Sequence, residues 1–290
     1  MLEQTKETPA IGRQLSVVRR AFTPMVRHPP SLVYPALIAV LVPGGLLVWG
    51  WPIWAIFTGL DSFPVVGRLA LVWGWTAVWY CSAVPVVGTV LSVAYCYELH
   101  ELFQGRRPLP GAGLAVAIRH LPVVVLGGLA GSWSFVLGFY TASETLRVGS
   151  NVLSLLFPPA LAIEGGGVRS LVSHIDAAST EAFGSTTLVV YGTQTLNRGL
   201  GWVAILGSVG ILVANVLGYL PLDIGILPVP AGISQAVVLS VAFLLGVLSL
   251  WLTLIALVTG PLSVLLYYRA TGREVTGEAA SPLRGLFRIE

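Results

Sequence analysis

The chain has 290 residues, 55% of them hydrophobic and only 10% charged, with a net charge of +3 and a mean hydropathy of +0.84. Soluble domains carry about a quarter charged residues, so an ordinary water-soluble globule is excluded and a lipid bilayer is the solvent to reason with. Transmembrane β-strands would alternate in segments of about 10 residues, a pattern the chain lacks, so an all-α membrane protein built from spans of about 20 residues is expected.

Residues 1–30 are polar and basic. They lack an early apolar core with a small-residue cleavage site, so no cleaved secretory signal is expected. Within them Leu15, Val18, Phe22 and Val26 share one helical face and Arg13, Arg20 and Arg27 lie near the other, as an interfacial helix requires. Six spans follow, at about 32–51, 65–97, 122–140, 148–163, 200–220 and 233–258, the last extending past Pro261 to Tyr268 as an alternative. Together they make a membrane domain over 31–268, and 269–290 form a short polar tail.

Span 1 carries Pro35 and Pro43 and is followed by an aromatic group of Trp49, Trp51 and Trp54. Span 2 is too long to run straight, so a kink is expected at Pro85, with Trp73 and Trp75 near its start beside the first tryptophan group. Its two cysteines, Cys81 and Cys96, lie about 22 Å apart along one helix and cannot bridge. Span 3 contains Gly127-x-x-x-Gly131, a spacing that lets two helices approach closely. Span 4 ends at Pro159 and Glu164 before Gly165 and Gly166. Beyond them Val168, Leu171, Val172, Ile175, Ser179 and Ala182 share a face, the mark of an amphipathic helix lying on the membrane.

Side assignment follows from the basic residues. Of 16 Lys and Arg, all but Arg68 and Arg147 fall on one side when the spans alternate, which places both termini in the cytoplasm. Arg27-His-Pro-Pro30 before span 1 and Arg119-His-Leu-Pro122 before span 3 suggest three hairpins, each led by an interfacial helix. Equally, basic residues and a helix-starting Pro favour the start of any span.

The chain resembles a family of uncharacterised six-helix prokaryotic membrane proteins, similar in pattern to the membrane domain attached to some glycerophosphodiester phosphodiesterases. The resemblance rests on Pro159 to Glu164 with Gly165 and Gly166, on the helix after them, on Val90 to Tyr97 with Gly105, and on Tyr267-Tyr268-Arg269 with Thr271-Gly272. It covers most of residues 13–273. An extra Gly after Glu164, and His174-Ile-Asp176 in place of small and basic residues, depart from the pattern. The resemblance implies a membrane bundle, no catalytic residues and no phosphodiesterase domain in this chain.

No motif for chemistry is complete. His100-Glu101 begins a zinc-protease helix, but Gln104 stands where the second His is required. Glu98 to Glu101 therefore read as a helix end with solvated charges, and Glu101 is expected to pair with Arg106 or Arg107. His28, His100, His120 and His174 share the cytoplasmic side without ligand spacing. Glu164 is expected to cap the next helix or pair with Arg169. Asn215, inside span 5, reads as an interhelical hydrogen-bonding residue, and Gly207 and Gly210 as close-packing positions. No span carries Asp, Glu, Lys or Arg near its centre, which argues against an ion-coupled carrier.

The expected function is that of a non-enzymatic multi-pass protein of the cell membrane, without cofactor or metal and with no nucleic-acid partner. It would contact membrane lipids or an unknown protein partner through Arg19, Arg20, Arg27, Arg119 and Arg169, with Pro159, Glu164, Gly166 and Asn215 as structural positions. The alternative is a channel or permease for small uncharged solutes, suggested by the proline-broken spans.

Overall fold

The computed structural model describes residues 29–59, 64–109, 111–181 and 235–276, with short pieces between 202 and 217. Arg19, Arg20, Arg27 and Asn215 lie outside the described residues, as does about half of span 5. Among the described residues every regular element is helical. A 3-10 turn at Pro29–Leu32 leads into α1 (Val33–Gly59), followed by α2 (Val65–Val78), a π-helical segment (Trp79–Ala83) and α3 (Val84–Phe103). Next come α4 (Ala112–Arg119), α5 (Leu121–Tyr140), α6 (Glu144–Glu164), α7 (Val168–Glu181) and α8 (Gln235–Thr271).

Among the described residues two stretches are long and apolar enough to cross a membrane, Val65–Phe103 and Phe243–Thr271, with mean hydropathies of 1.7 and 2.2. A third is reached if α4 and residues 121–134, bent by 81° at their junction, form one broken span. Helix α1 runs on to Gly59 rather than ending at Trp51, α3 runs on to Phe103 rather than ending at Tyr97, and α6 starts at Glu144 rather than Val148. Helix α8 follows the longer of the two expected courses, through Pro261, and ends at Thr271.

Where a kink is expected at Pro85, the helix carries a π-helical segment just N-terminal to the proline. Proline has no N–H for the carbonyl four residues earlier, here that of Cys81, and its ring crowds that turn. The helix responds by widening over Trp79–Ala83 into a π segment and resumes α geometry with Pro85 in its first turn.

Helix ends are set by glycine. Gly105 and Gly272 have φ of 76° and 66°, and each closes a paired hydrogen-bond motif. Arg106 N–H donates to the Glu101 carbonyl and Gly105 N–H to Leu102; Arg273 N–H donates to Tyr268 and Gly272 N–H to Arg269. In both motifs the residue after the glycine is an arginine paired with a carboxylate, Arg106 with Glu101 and Arg273 with Glu164. Gly165, at φ 63°, ends α6 with one bond from its N–H to the Leu161 carbonyl.

The buried core gathers at the end of the bundle where α3, α6 and α8 terminate. Val93 to Cys96, Leu99 and Phe103 of α3 meet Leu156 to Leu161 of α6 and Val264 to Tyr268 of α8, closed over by Leu171, Ile175 and Ala178 of α7. Helix α4 reaches this core because Gly113 has no side chain; a Cβ there would run into the Ala94 carbonyl. In lipid, helices associate by close packing more than by hydrophobic transfer, and the expected glycine contact is present. A Cβ on Gly127 would overlap the Phe157 ring, and one on Gly131 would sit 3.3 Å from Ser154 Oγ. Gly207 likewise abuts Phe243 of α8, whereas Gly210 faces open space.

Farther along α1, Trp49 Nε1 donates to Thr76 Oγ1 at 3.0 Å and Trp75 Nε1 donates to the Trp49 carbonyl at 3.2 Å. These bonds bring Trp49 of α1 and Trp75 of α2 to one level. Trp73 stands 69% exposed beside them.

Candidate functional site

Two arrangements offer chemistry. The first is a polar lock at the core end. Glu164, the last residue of α6, expected to cap the next helix or to pair with Arg169, is held by Arg273 and Tyr267 instead. Its carboxylate oxygens lie 2.8 and 2.9 Å from Arg273 Nη2, and the Tyr267 hydroxyl donates to Oε1 at 3.0 Å. The glycine stop at Gly272 aims Arg273 there, while Gly165 and Gly166, at φ 63° and 91°, turn the chain away before α7 begins and carry Arg169 outward. Arg169 and Arg119 are both exposed, and Pro159 is buried inside α6.

Glu98 and His100 also depart from expectation. Rather than solvated ends of a departing helix, they are buried at 3% and 9% exposure. Helix α3 continues to Phe103, so α4 and the end of α8 cover the turn that carries both side chains. Glu98 shares a side-chain hydrogen bond with Tyr34 of α1, whose hydroxyl also meets the Leu114 backbone. His100 Nδ1 is 2.6 Å from the Tyr268 hydroxyl, and Gln104 Nε2 donates to the same oxygen at 3.1 Å. Gln104 then accepts from Thr276 Oγ1 at 3.0 Å, tying down the chain beyond α8. Glu101 pairs with Arg106 as expected, at 2.6 and 2.8 Å, and this carboxylate raises the guanidinium pKa above its ordinary value. Because the Arg106 side chain is 58% exposed, solvent screens the pair, which is worth about 0.2–1 kcal/mol.

Helix α7 distributes its apolar residues differently from the expected single face. Leu171, Ile175 and Ala178 face α6 and α8, while Val168 and Val172 are 44% and 57% exposed beside Arg169. The expected single apolar face is therefore divided between the bundle and the outside. Helix α4 shows the same division, with Ala117 buried and Leu114 and Ile118 exposed next to Arg119.

The second arrangement is a cavity of about 360 Å³ between α3, α5 and α6. Pro85, Gly88, Thr89 and Ser92 form one wall, Gly127, Gly128, Gly131 and Ser132 the second, and Ser150, Asn151 and Ser154 with Phe157 and Pro158 the third. A neighbouring cavity of about 260 Å³ lies toward α1 and α8, lined by Cys96, Thr259 and Ser263 among others, and shares Ser92, Asn151, Ser154 and Pro158 with the first. Neither lining contains Asp, Glu, Lys, Arg or His.

Sequence reasoning passed over this cavity. Its signal was three helices with small or hydroxyl residues recurring at helical spacing, Pro85/Gly88/Thr89/Ser92, Gly127/Gly128/Gly131/Ser132 and Ser150/Asn151/Ser154/Pro158. Taken one helix at a time, each reads as packing. No protein-family model, curated protein or solved structure matches the chain.

Proposed function

We propose that the chain is a six-span, non-enzymatic protein of the cell membrane with both termini in the cytoplasm. Helices α4 and α7, together with the glycine-stopped ends of α3, α6 and α8, then form a basic, partly apolar collar seated in the cytoplasmic headgroup layer, where it contacts anionic lipid. The similarity to the six-helix prokaryotic membrane domains is part of this reading. The observation that carries it is the pairing of exposed arginine with exposed aliphatic side chains on both short helices: Arg119 beside Leu114 and Ile118, Arg169 beside Val168 and Val172. Such a surface places hydrocarbon below the headgroups and guanidinium among the phosphates, and each basic residue near an anionic surface contributes about 1 kcal/mol. Exposed Arg107 and Arg269 extend it around the same end.

The test is thermal unfolding in nanodiscs of increasing anionic lipid content. The melting temperature of the native chain rises with anionic fraction, and the rise is lost in an Arg107→Gln, Arg119→Gln, Arg169→Gln variant. An equal response in both proteins overturns lipid contact and directs the collar to a protein partner instead.

A further inference from the structure

We propose that the cavity between α3, α5 and α6 is a binding site for a small, uncharged, hydrogen-bonding solute of the polyol or simple amide class, with Asn151 as its recognition residue. A channel or permease for neutral solutes would need such a site.

Three observations converge on the wall shared by α6 and α3. Asn151 Nδ2 is buried with no protein hydrogen-bond partner, and leaving such a donor unsatisfied costs about 1–3 kcal/mol. One helical turn on, Pro158 has no N–H to give the Ser154 carbonyl, its usual partner four residues back, so the helix does not make that backbone bond. Ser92, on α3, adds a hydroxyl that can both donate and accept. These residues line both cavities, so the wall that recognises a solute in one also faces the other.

Charge selects the ligand class. A lining without ionisable Asp, Glu, Lys, Arg or His offers no counter-charge to an ion, whose burial is costly without one. Donors and acceptors placed without charge suit hydroxyl and amide groups. The volume is of the order that a small organic molecule fills. Gly88 leaves room, since a Cβ there meets nothing within 4 Å, whereas Gly127 and Gly128 bring α5 close against α6 and α3 to close the site.

The experiment uses the full chain in nanodiscs with Cys81→Ser, Cys96→Ser and Gly88→Cys, and follows modification by a small neutral methanethiosulfonate. This reagent consumes thiolate, which forms only in contact with water. Erythritol is the probe, raffinose at equal osmolality the size control, and a cysteine on exposed Arg107 the external reference. The thiol at position 88 reacts, and erythritol slows it by about threefold, the occupancy effect of a solute at twice its dissociation constant. Raffinose leaves the rate unchanged, and adding Asn151→Leu removes the protection. Ser154→Cys in the same background gives the same pattern if the first variant folds poorly. The proposal is overturned by a folded protein whose cavity thiol is inert while the reference reacts, by equal slowing from both solutes, or by protection that survives Asn151→Leu.

Discussion

Arg273 Nη2 bridges both carboxylate oxygens of Glu164, at 2.8 and 2.9 Å, across 109 positions of sequence. The contact joins the end of α8 to the end of α6, and Tyr267 adds a third hydrogen bond from the preceding turn. Because Arg273 remains 38% exposed, solvent screens the pair, and its coupling is expected near the upper part of the range for exposed pairs, about 1 kcal/mol. A double-mutant cycle with Glu164→Gln and Arg273→Gln, read by reversible unfolding in detergent, checks that value. An Arg169→Gln change is expected to leave Glu164 uncoupled from it.

Tyr268→Phe is expected to destabilise the chain more than Tyr267→Phe. The Tyr268 hydroxyl serves His100 and Gln104 at once in a buried site, and its loss leaves the His100 ring nitrogen without that partner, at a cost of about 1–3 kcal/mol. Removing the Tyr267 hydroxyl leaves Glu164 still held by Arg273. Melting temperatures of the two variants decide the order.

Glycine replacements separate packing from open space. Gly127→Ala forces a methyl group into the Phe157 ring and is expected to cost about 1–3 kcal/mol. Gly88→Ala meets nothing and is expected to be neutral or slightly stabilising, since Ala exceeds Gly as a helix former by about 1 kcal/mol. Gly113→Ala, aimed at the Ala94 carbonyl, is expected to be the most damaging because backbone must move. Unfolding of the three variants side by side provides the comparison.

The helical class and several helix limits were legible in the chain. The bounds of α5, the C-terminal limit of α6 at Glu164 and the start of α7 at Val168 follow from proline, glycine and hydrophobic period alone. The close approach of α5 and α6 follows from Gly127 and Gly131. What escaped was long-range. Glu98 and His100 look like the polar end of a departing helix, and only the covering by α4 and Tyr268 buries them. Glu164 looks paired to Arg169 because five positions is a short reach, yet the turn at Gly165 and Gly166 sends Arg169 outward while Gly272 sends Arg273 inward. The polar cavity needed three helices side by side before its small residues read as a lining.

The central claim is that the joined ends of α3, α6 and α8 lie on the cytoplasmic side of the membrane. The direct measurement places a cysteine at Arg107, at Gly167 or at Glu274, one at a time in a chain lacking Cys81 and Cys96, and treats intact cells with a membrane-impermeant maleimide. The account predicts that all three positions are protected until the cells are opened and then label readily. Labelling of any of them from outside intact cells contradicts it, and reverses the side on which the arginine collar sits.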